Sequence, residues 1–296
     1  MAPGGDAAAE VRDEVERWRP PSRWRRWFDD GSSFVLVRAA VLRLLGFVYF
    51  VAFASAALQA PALVGDRGLL PARAWLDDVA RFAGSRAGGF LYAPSIFWLD
   101  ASDGAIAGAC VAGAALALAV VAGVTNAGVM IALWALQFSL QSVGQVFWGY
   151  GWEIQLLETG ALAALLCPLR SFGPRAAPAP PAAAVWLLRW LVVRIMLGAG
   201  LIKLRGDPCW RELTCLVYHY ETQPNPSPAS WLLHALPPGV HTAGVLFNHA
   251  VELGAPLLLL GPRAARRVAG ALFVTFQAIL IASGNLSFLN WLTIVP

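Results

Sequence analysis

Charge is scarce in these 296 residues: 14% are Asp, Glu, Lys or Arg, against about a quarter in a soluble domain. No charged residue occurs between Gly104 and Trp152. That stretch could carry two helices of about 20 residues each across a bilayer. With 58% hydrophobic residues and a mean hydropathy of +0.59, the composition excludes a soluble domain. It predicts an all-α fold, a multi-pass transmembrane helical bundle of about seven or eight spans. Lysine is almost missing too. Lys203 is the only one, so 21 of the 22 basic residues are arginine, which reads as a compositional bias of the genome. The net charge of +4 does not indicate nucleic acid as a partner, because the arginines cluster beside apolar segments as topology signals do. The chain does not begin with the short apolar core and small-residue cleavage site of a signal peptide. Nor does it carry a fixed-period repeat, or a low-complexity tract beyond the Ala/Pro linker at 176–184.

What is present is a series of apolar runs with polar punctuation. Spans are predicted at about 35–58, 104–123, 127–148, 153–169, 183–203, 241–260 and 268–283, with an eighth beginning near Leu286. From Leu286 to Pro296 the chain is too short to cross about 30 Å of hydrocarbon, so the last helix is expected to be incomplete or the chain a fragment. Residues 1–33 read as a cytoplasmic tail in which Arg17, Arg19, Arg23, Arg25 and Arg26 alternate with Trp18, Trp24 and Trp27. Residues 34–296 are the membrane domain. A cytoplasmic N-terminus places Arg170, Arg175, Arg263, Arg266 and Arg267 in cytoplasmic loops, as the positive-inside rule requires. The same parity sends 59–103, 149–152, 204–240 and 284–286 to the opposite face.

Nearly every polar motif falls on that outward face. The densest is residues 203–231, at the head of the polar loop 203–240, which holds Lys203, Arg205, Asp207, His219, Glu221 and two of the four cysteines. Unsatisfied polar groups in hydrocarbon cost several kcal/mol each, so such a block belongs where a loop meets water or a cavity. Cys209 and Cys215 lie close enough in sequence for a disulfide in an oxidising compartment. Cys110 and Cys167 sit in apolar spans as small hydrophobes. The pairs His219/Glu221 and His249/Glu252 could each offer metal ligands, the second on one helix face at i, i+3. A zinc site needs three or four converging ligands, so hydrogen-bonded structural roles are favoured and neither a metal nor a cofactor is assigned. Glu153, Glu158, Arg189, Arg194 and Glu252 are ionisable groups within spans. They should pair across helices or line a cavity. Lys203 ends its span, where it could snorkel to the interface or, beside apolar surface, act as a base. The candidate functional face is Glu153, Glu158, Arg194, Lys203, Arg205, Asp207, His219, Glu221, His249, Glu252 and Asn285; no catalytic residue is assigned.

Several of these stretches carry a family resemblance. Arg194 to Lys203 (RIMLGAGLIK), Arg205 to Cys215 (RGDPCWRELTC), Tyr218 to Pro224 (YHYETQP), Asn248-His249 with Glu252-Leu253, Gln277, and Ser283 to Thr293 (SGNLSFLNWLT) closely resemble the lipase maturation factor family. Phe47 to Phe53, Gly65 to Pro71 and Trp152 to Gly160 fit as well, so the likeness covers about residues 40–296. It implies a multi-pass protein of the endoplasmic reticulum that helps secreted lipases fold and dimerise, with membrane lipids and secreted lipase-like clients as partners. In a bacterial relative, which the Ala/Gly/Arg bias also fits, the compartment would be the inner membrane. The resemblance implies that the family's proteins continue into further spans and a lumenal C-terminal domain, which this chain is expected to lack. The resemblance supplies no catalytic residues. Beside this non-enzymatic reading stands a membrane enzyme or cofactor-dependent oxidoreductase built on Lys203, His219 and Glu221. A transporter is disfavoured by the lack of matched half-repeats.

Overall fold

The computed structural model describes residues 34–169, 172–173 and 179–296, and no strand occurs among them. The expected tail at 1–33 and the loop arginines Arg170 and Arg175 lie outside the described residues. The first helix among the described residues, α1 (Val35–Val64), runs past the expected end at 58 and takes Pro61 into its last turns. The segment that follows, expected as a loop, folds into α2 (Ala72–Phe82) and α3 (Arg86–Tyr92), the latter capped by Ser85, whose hydroxyl accepts from the Gly88 N–H at 3.0 Å. Side-chain caps of this kind satisfy donors that a helix start leaves unpaired.

The charge-free stretch forms α4 (Asp103–Ala122) and α5 (Ala127–Val143). Ser102 caps α4, and Gly123 ends it in the left-handed conformation (φ 109°) that only glycine adopts without cost. Asn126 caps α5 by accepting from the Gly128 N–H at 2.8 Å. The helix α5 stops at Val143 rather than near 148, because Gln145–Trp148 tightens into a 3₁₀ turn. After it come α6 (Gly151–Ala164) and α7 (Ala182–Arg205). The outward loop carries two short helices, α8 (Cys215–His219) and α9 (Ser230–His234). An unbroken helical run then comprises α10 (Pro238–His249), a π turn at Ala250–Gly254 and α11 (Ala255–Leu258). The chain ends with α12 (Arg263–Ser283) and α13 (Leu289–Ile294). Among the described residues four helices, α1, α4, α7 and α12, are long and apolar enough to cross a membrane, and α5 is a shorter apolar helix.

Among the described residues, two apolar cores organise the bundle. The larger joins α1, α2, α4, α5 and α6 to α13 and the first half of α7, around fully buried Tyr49, Phe53, Leu133 and Leu156. Here α1 and α4 lie antiparallel, tied at one end by the Asp66 N–H donating to Asp103 Oδ1 at 2.7 Å. Gly160 of α6 is where the Tyr49 hydroxyl passes, and any side chain there would collide with it. The smaller core joins the second half of α7 to the π turn, α11 and α12 through Val193, Met196, Val251, Phe273 and Phe276.

Side-chain and backbone hydrogen bonds tie loops together at the ends of the bundle. At one end Trp75 donates its indole N–H to the Ser142 carbonyl at 3.0 Å, and the Gln145 amide donates to Leu70 O at 2.9 Å. At the other, the Thr125 N–H donates to Phe172 O and the Asn126 amide to Leu169 O, both at 3.0 Å.

Candidate functional site

The site begins with a proline. Pro256 has no N–H to offer the carbonyl four residues back, and its ring crowds that carbonyl, which belongs to Glu252. The helix accommodates this by widening, so that the Ala255 N–H reaches the Ala250 carbonyl. Such π turns re-aim side chains and recur at functional sites. Here the widened turn presents Glu252 to α7. The approach is close because position 200 is glycine: a Cβ there would lie 2.6 Å from Leu253 Cδ2 and 3.1 Å from Glu252 Cβ.

Lys203, in the last turn of α7, meets this turn with its ammonium group. Its Nζ donates to Glu252 Oε1 at 2.6 Å and to Asn248 Oδ1 at 2.7 Å, while Asn248 Nδ2 donates to Glu252 Oε2 at 3.0 Å. The three side chains close a ring in which the cation, the anion and the amide satisfy one another. The Lys203 side chain is 23% exposed and that of Glu252 4%, so the pair is largely removed from water. Trp210 covers the ammonium with its ring at 4.9 Å, and Phe276 lies at 6.0 Å on a second side, distances at which cation–π attraction operates.

Trp210 is itself held from three directions. Asp207 caps the 3₁₀ turn Pro208–Trp210 by accepting from the Cys209 N–H at 2.9 Å. Cys209 is disulfide-bonded to Cys215, with Cα atoms 4.7 Å apart, inside the usual range for the bond. The His249 Nε2–H donates to the Trp210 carbonyl at 3.0 Å, and the two rings meet edge to face.

Beside this ring a cavity of about 910 Å³ opens between α6, α7, α12, α13 and the outward loop. That is within the size range of sites that hold small ligands. Lys203, Glu252, Asn248 and Trp210 form part of its wall, and His219, Gln155, Gln277, Asn285 and Asn290 contribute further polar groups. Ile195, Met196, Ala199, Phe276 and Leu280 are among its apolar residues. His219 is held below the ordinary histidine value, because burial disfavours its cation and the Lys203 charge repels it. Burial pushes the neighbouring Tyr220 hydroxyl up.

Of the eleven residues singled out from sequence, Lys203, His219, Glu252 and Asn285 line this cavity. The others do not meet at one point. Glu153 is buried in the larger core, where Gln137 Nε2 donates to its Oε2 at 2.6 Å. Glu158 and Arg194 pair across α6 and α7. Glu221 faces His234 at 3.6 Å on the exposed loop. Arg205 is exposed at the C-terminal end of α7, where a cation complements the helix dipole, and Asp207 and His249 act on the Trp210 turn. The His/Cys/Asp/Glu group within ligand reach among the described residues is Asp207, Cys209 and Cys215, and its two sulfurs are taken by the disulfide. Sequence reasoning paired His249 with Glu252 and, although Gln277 and Asn290 lie in the stretches that carry the family resemblance, did not place them on the functional face. The usable signals were the i, i+4 spacing of Asn248 and Glu252 and the presence of amides inside apolar helices.

These features define a multi-pass helical membrane protein with a buried Lys–Asn–Glu ring on the wall of a loop-capped cavity. Residues 36–296 match the family described as the lipase maturation factor transmembrane domain, and the chain belongs to the lipase maturation factor family. It is 49% identical over 276 residues to lipase maturation factor 1 of Bos taurus and 47% identical over 276 residues to that of Homo sapiens, covering 90% of this chain and 48% of each relative. To lipase maturation factor 2 of Homo sapiens it is 36% identical over 283 residues, covering 88% of this chain and 39% of the relative. The chain thus spans about half the length of the curated lipase maturation factor 1 relatives it matches. No solved structure matches it.

Proposed function

We propose that this chain is the membrane-embedded part of a maturation factor that assists the folding and assembly of secreted lipases. The observation that carries the reading is the 47–49% identity to proteins named lipase maturation factor 1, sustained over 90% of the chain. The compartment is then the endoplasmic reticulum membrane, or the inner membrane in a bacterial host, and the face bearing residues 203–240 looks into the lumen or periplasm. The partners are membrane lipids and lipase clients. The oxidised Cys209–Cys215 pair supports an outward, oxidising location for that loop. The membrane-enzyme alternative draws no support from the family match.

The test is co-expression with a secreted dimeric lipase in cells lacking their own maturation factors, reading lipase activity per mass of secreted lipase. A rise over empty membrane controls is expected. No rise, with the chain present at normal abundance in the membrane, would overturn the reading.

A further inference from the structure

We propose that the cavity beside Lys203 binds one uncharged, hydroxyl-bearing lipid, whose hydroxyl groups pair with the amides of Gln277 and Asn290. Both amides line the cavity, both residues are only 4% exposed, and they sit on the adjacent elements α12 and α13. The Gln277 carbonyl oxygen has no hydrogen-bond partner among the described residues, and its nitrogen reaches only the Met196 sulfur at 3.6 Å, a weak acceptor. The Asn290 side chain makes no hydrogen bond within the described residues either. Buried amides are ordinarily satisfied. Two left open on one cavity wall call for a ligand that donates and accepts, and a hydroxyl does both with one atom.

The charge of the wall selects against the abundant anionic lipids. Its full charges are Lys203 and Glu252, and these neutralise each other at 2.6 Å. Burial and the Lys203 charge also keep His219 from adding a cation near neutral pH. A phosphate headgroup would therefore be desolvated without a free counter-charge, which is costly. The apolar lining gives the lipid its other half. Ile195, Met196 and Ala199 lie along α7 below Lys203, so the slot runs about 12 Å down the helix at about 1.5 Å per residue. Phe276 and Leu280 face that slot from α12. This site is independent of the client reading above, since its evidence is the wall chemistry alone.

Native mass spectrometry of the protein released from vesicles of equimolar mono-oleoylglycerol, phosphatidylcholine and phosphatidylglycerol tests the assignment. One mono-oleoylglycerol per chain is expected, retained at least tenfold over phosphatidylglycerol. Ala199→Phe, which fills the slot, should lower retention at least tenfold, and so should Gln277→Leu combined with Asn290→Leu. Leu201→Phe, on an exposed face outside the cavity, should leave it unchanged. The thermal midpoint of each variant establishes that it is folded, and if Ala199→Phe is not, the amide pair decides. Equal or greater retention of phosphatidylglycerol, no retained lipid, or unchanged retention in a folded slot or amide variant would each overturn the proposal.

Discussion

Removing one member of the Lys203–Glu252 pair should destabilise the protein more than removing both. A buried ion pair broken from one side typically costs about 3–5 kcal/mol, because the surviving charge is left desolvated. The surroundings rank the two single variants. In Glu252→Gln the ammonium keeps the Asn248 oxygen at 2.7 Å and the Trp210 face at 4.9 Å, so the loss should sit near the lower figure, about 3 kcal/mol. In Lys203→Met the carboxylate, 4% exposed, keeps only the Asn248 amide at 3.0 Å, and the loss should approach about 5 kcal/mol. At about 2–4 °C per kcal/mol for a chain of this size, the apparent midpoint should fall by roughly 6–12 °C and 10–20 °C respectively. The Lys203→Met/Glu252→Gln double variant leaves no buried charge and should recover part of the loss. The assay is thermal unfolding in detergent micelles followed by tryptophan fluorescence, on all four members of the cycle. Additive losses in the double variant, or single losses below about 1 kcal/mol, would refute the reasoning that this pair is a desolvated unit.

Three further outcomes can be measured on the same protein. Gly200→Ala should destabilise by about 1–3 kcal/mol through overpacking against Leu253 and Glu252, whereas Gly198→Ala, which meets nothing within 4 Å, should be neutral or stabilise by up to about 1 kcal/mol; equal midpoints would contradict the close approach of α7 to the π turn. His219 is depressed below 6.5 in the folded protein, so as pH falls through 6.5 the unfolded chain takes up a proton that the folded one refuses, and stability must drop. The fall in midpoint between about pH 7.5 and 5.5 should be shallower in His219→Gln; an unchanged slope would remove His219 as its cause. Replacing Cys209 and Cys215 together by serine should cost about 2 kcal/mol in loop entropy, and mass spectrometry of unreduced protein from fresh membranes should find the native pair oxidised; two free thiols there would place the loop in a reducing compartment.

The bundle was legible in the sequence because its signals are local. A charge-free stretch from Gly104 to Trp152 and the order of apolar runs require no tertiary knowledge to read. Where the reading differed, a local event shifted a boundary: the 3₁₀ turn at Gln145–Trp148 shortened α5, and Ser85 capped a helix within an expected loop. Lys203 and Glu252 could be singled out because charges in apolar helices are conspicuous, but their partnership depends on two elements 49 positions apart. Glu153, equally conspicuous, turned out to be satisfied by Gln137, and no feature of its own helix distinguishes the two cases.

The identity of the third partner was hidden for a different reason. In a regular α-helix His249 and Glu252, three apart, share a face, and the pairing read from sequence assumed that geometry. Asn248, four residues before Glu252, shares that face equally, and it is Asn248 that donates to Glu252, while His249 donates to the carbonyl of Trp210. Two adjacent residues at the end of α10 thus serve both halves of the site, Asn248 in the Lys203 ring and His249 behind the tryptophan that covers it. The cavity wall is built from the same turn, since Asn248, Glu252 and Trp210 all line it. Pro256 lies outside the lining, yet the π turn before it carries Glu252, the carboxylate of that wall.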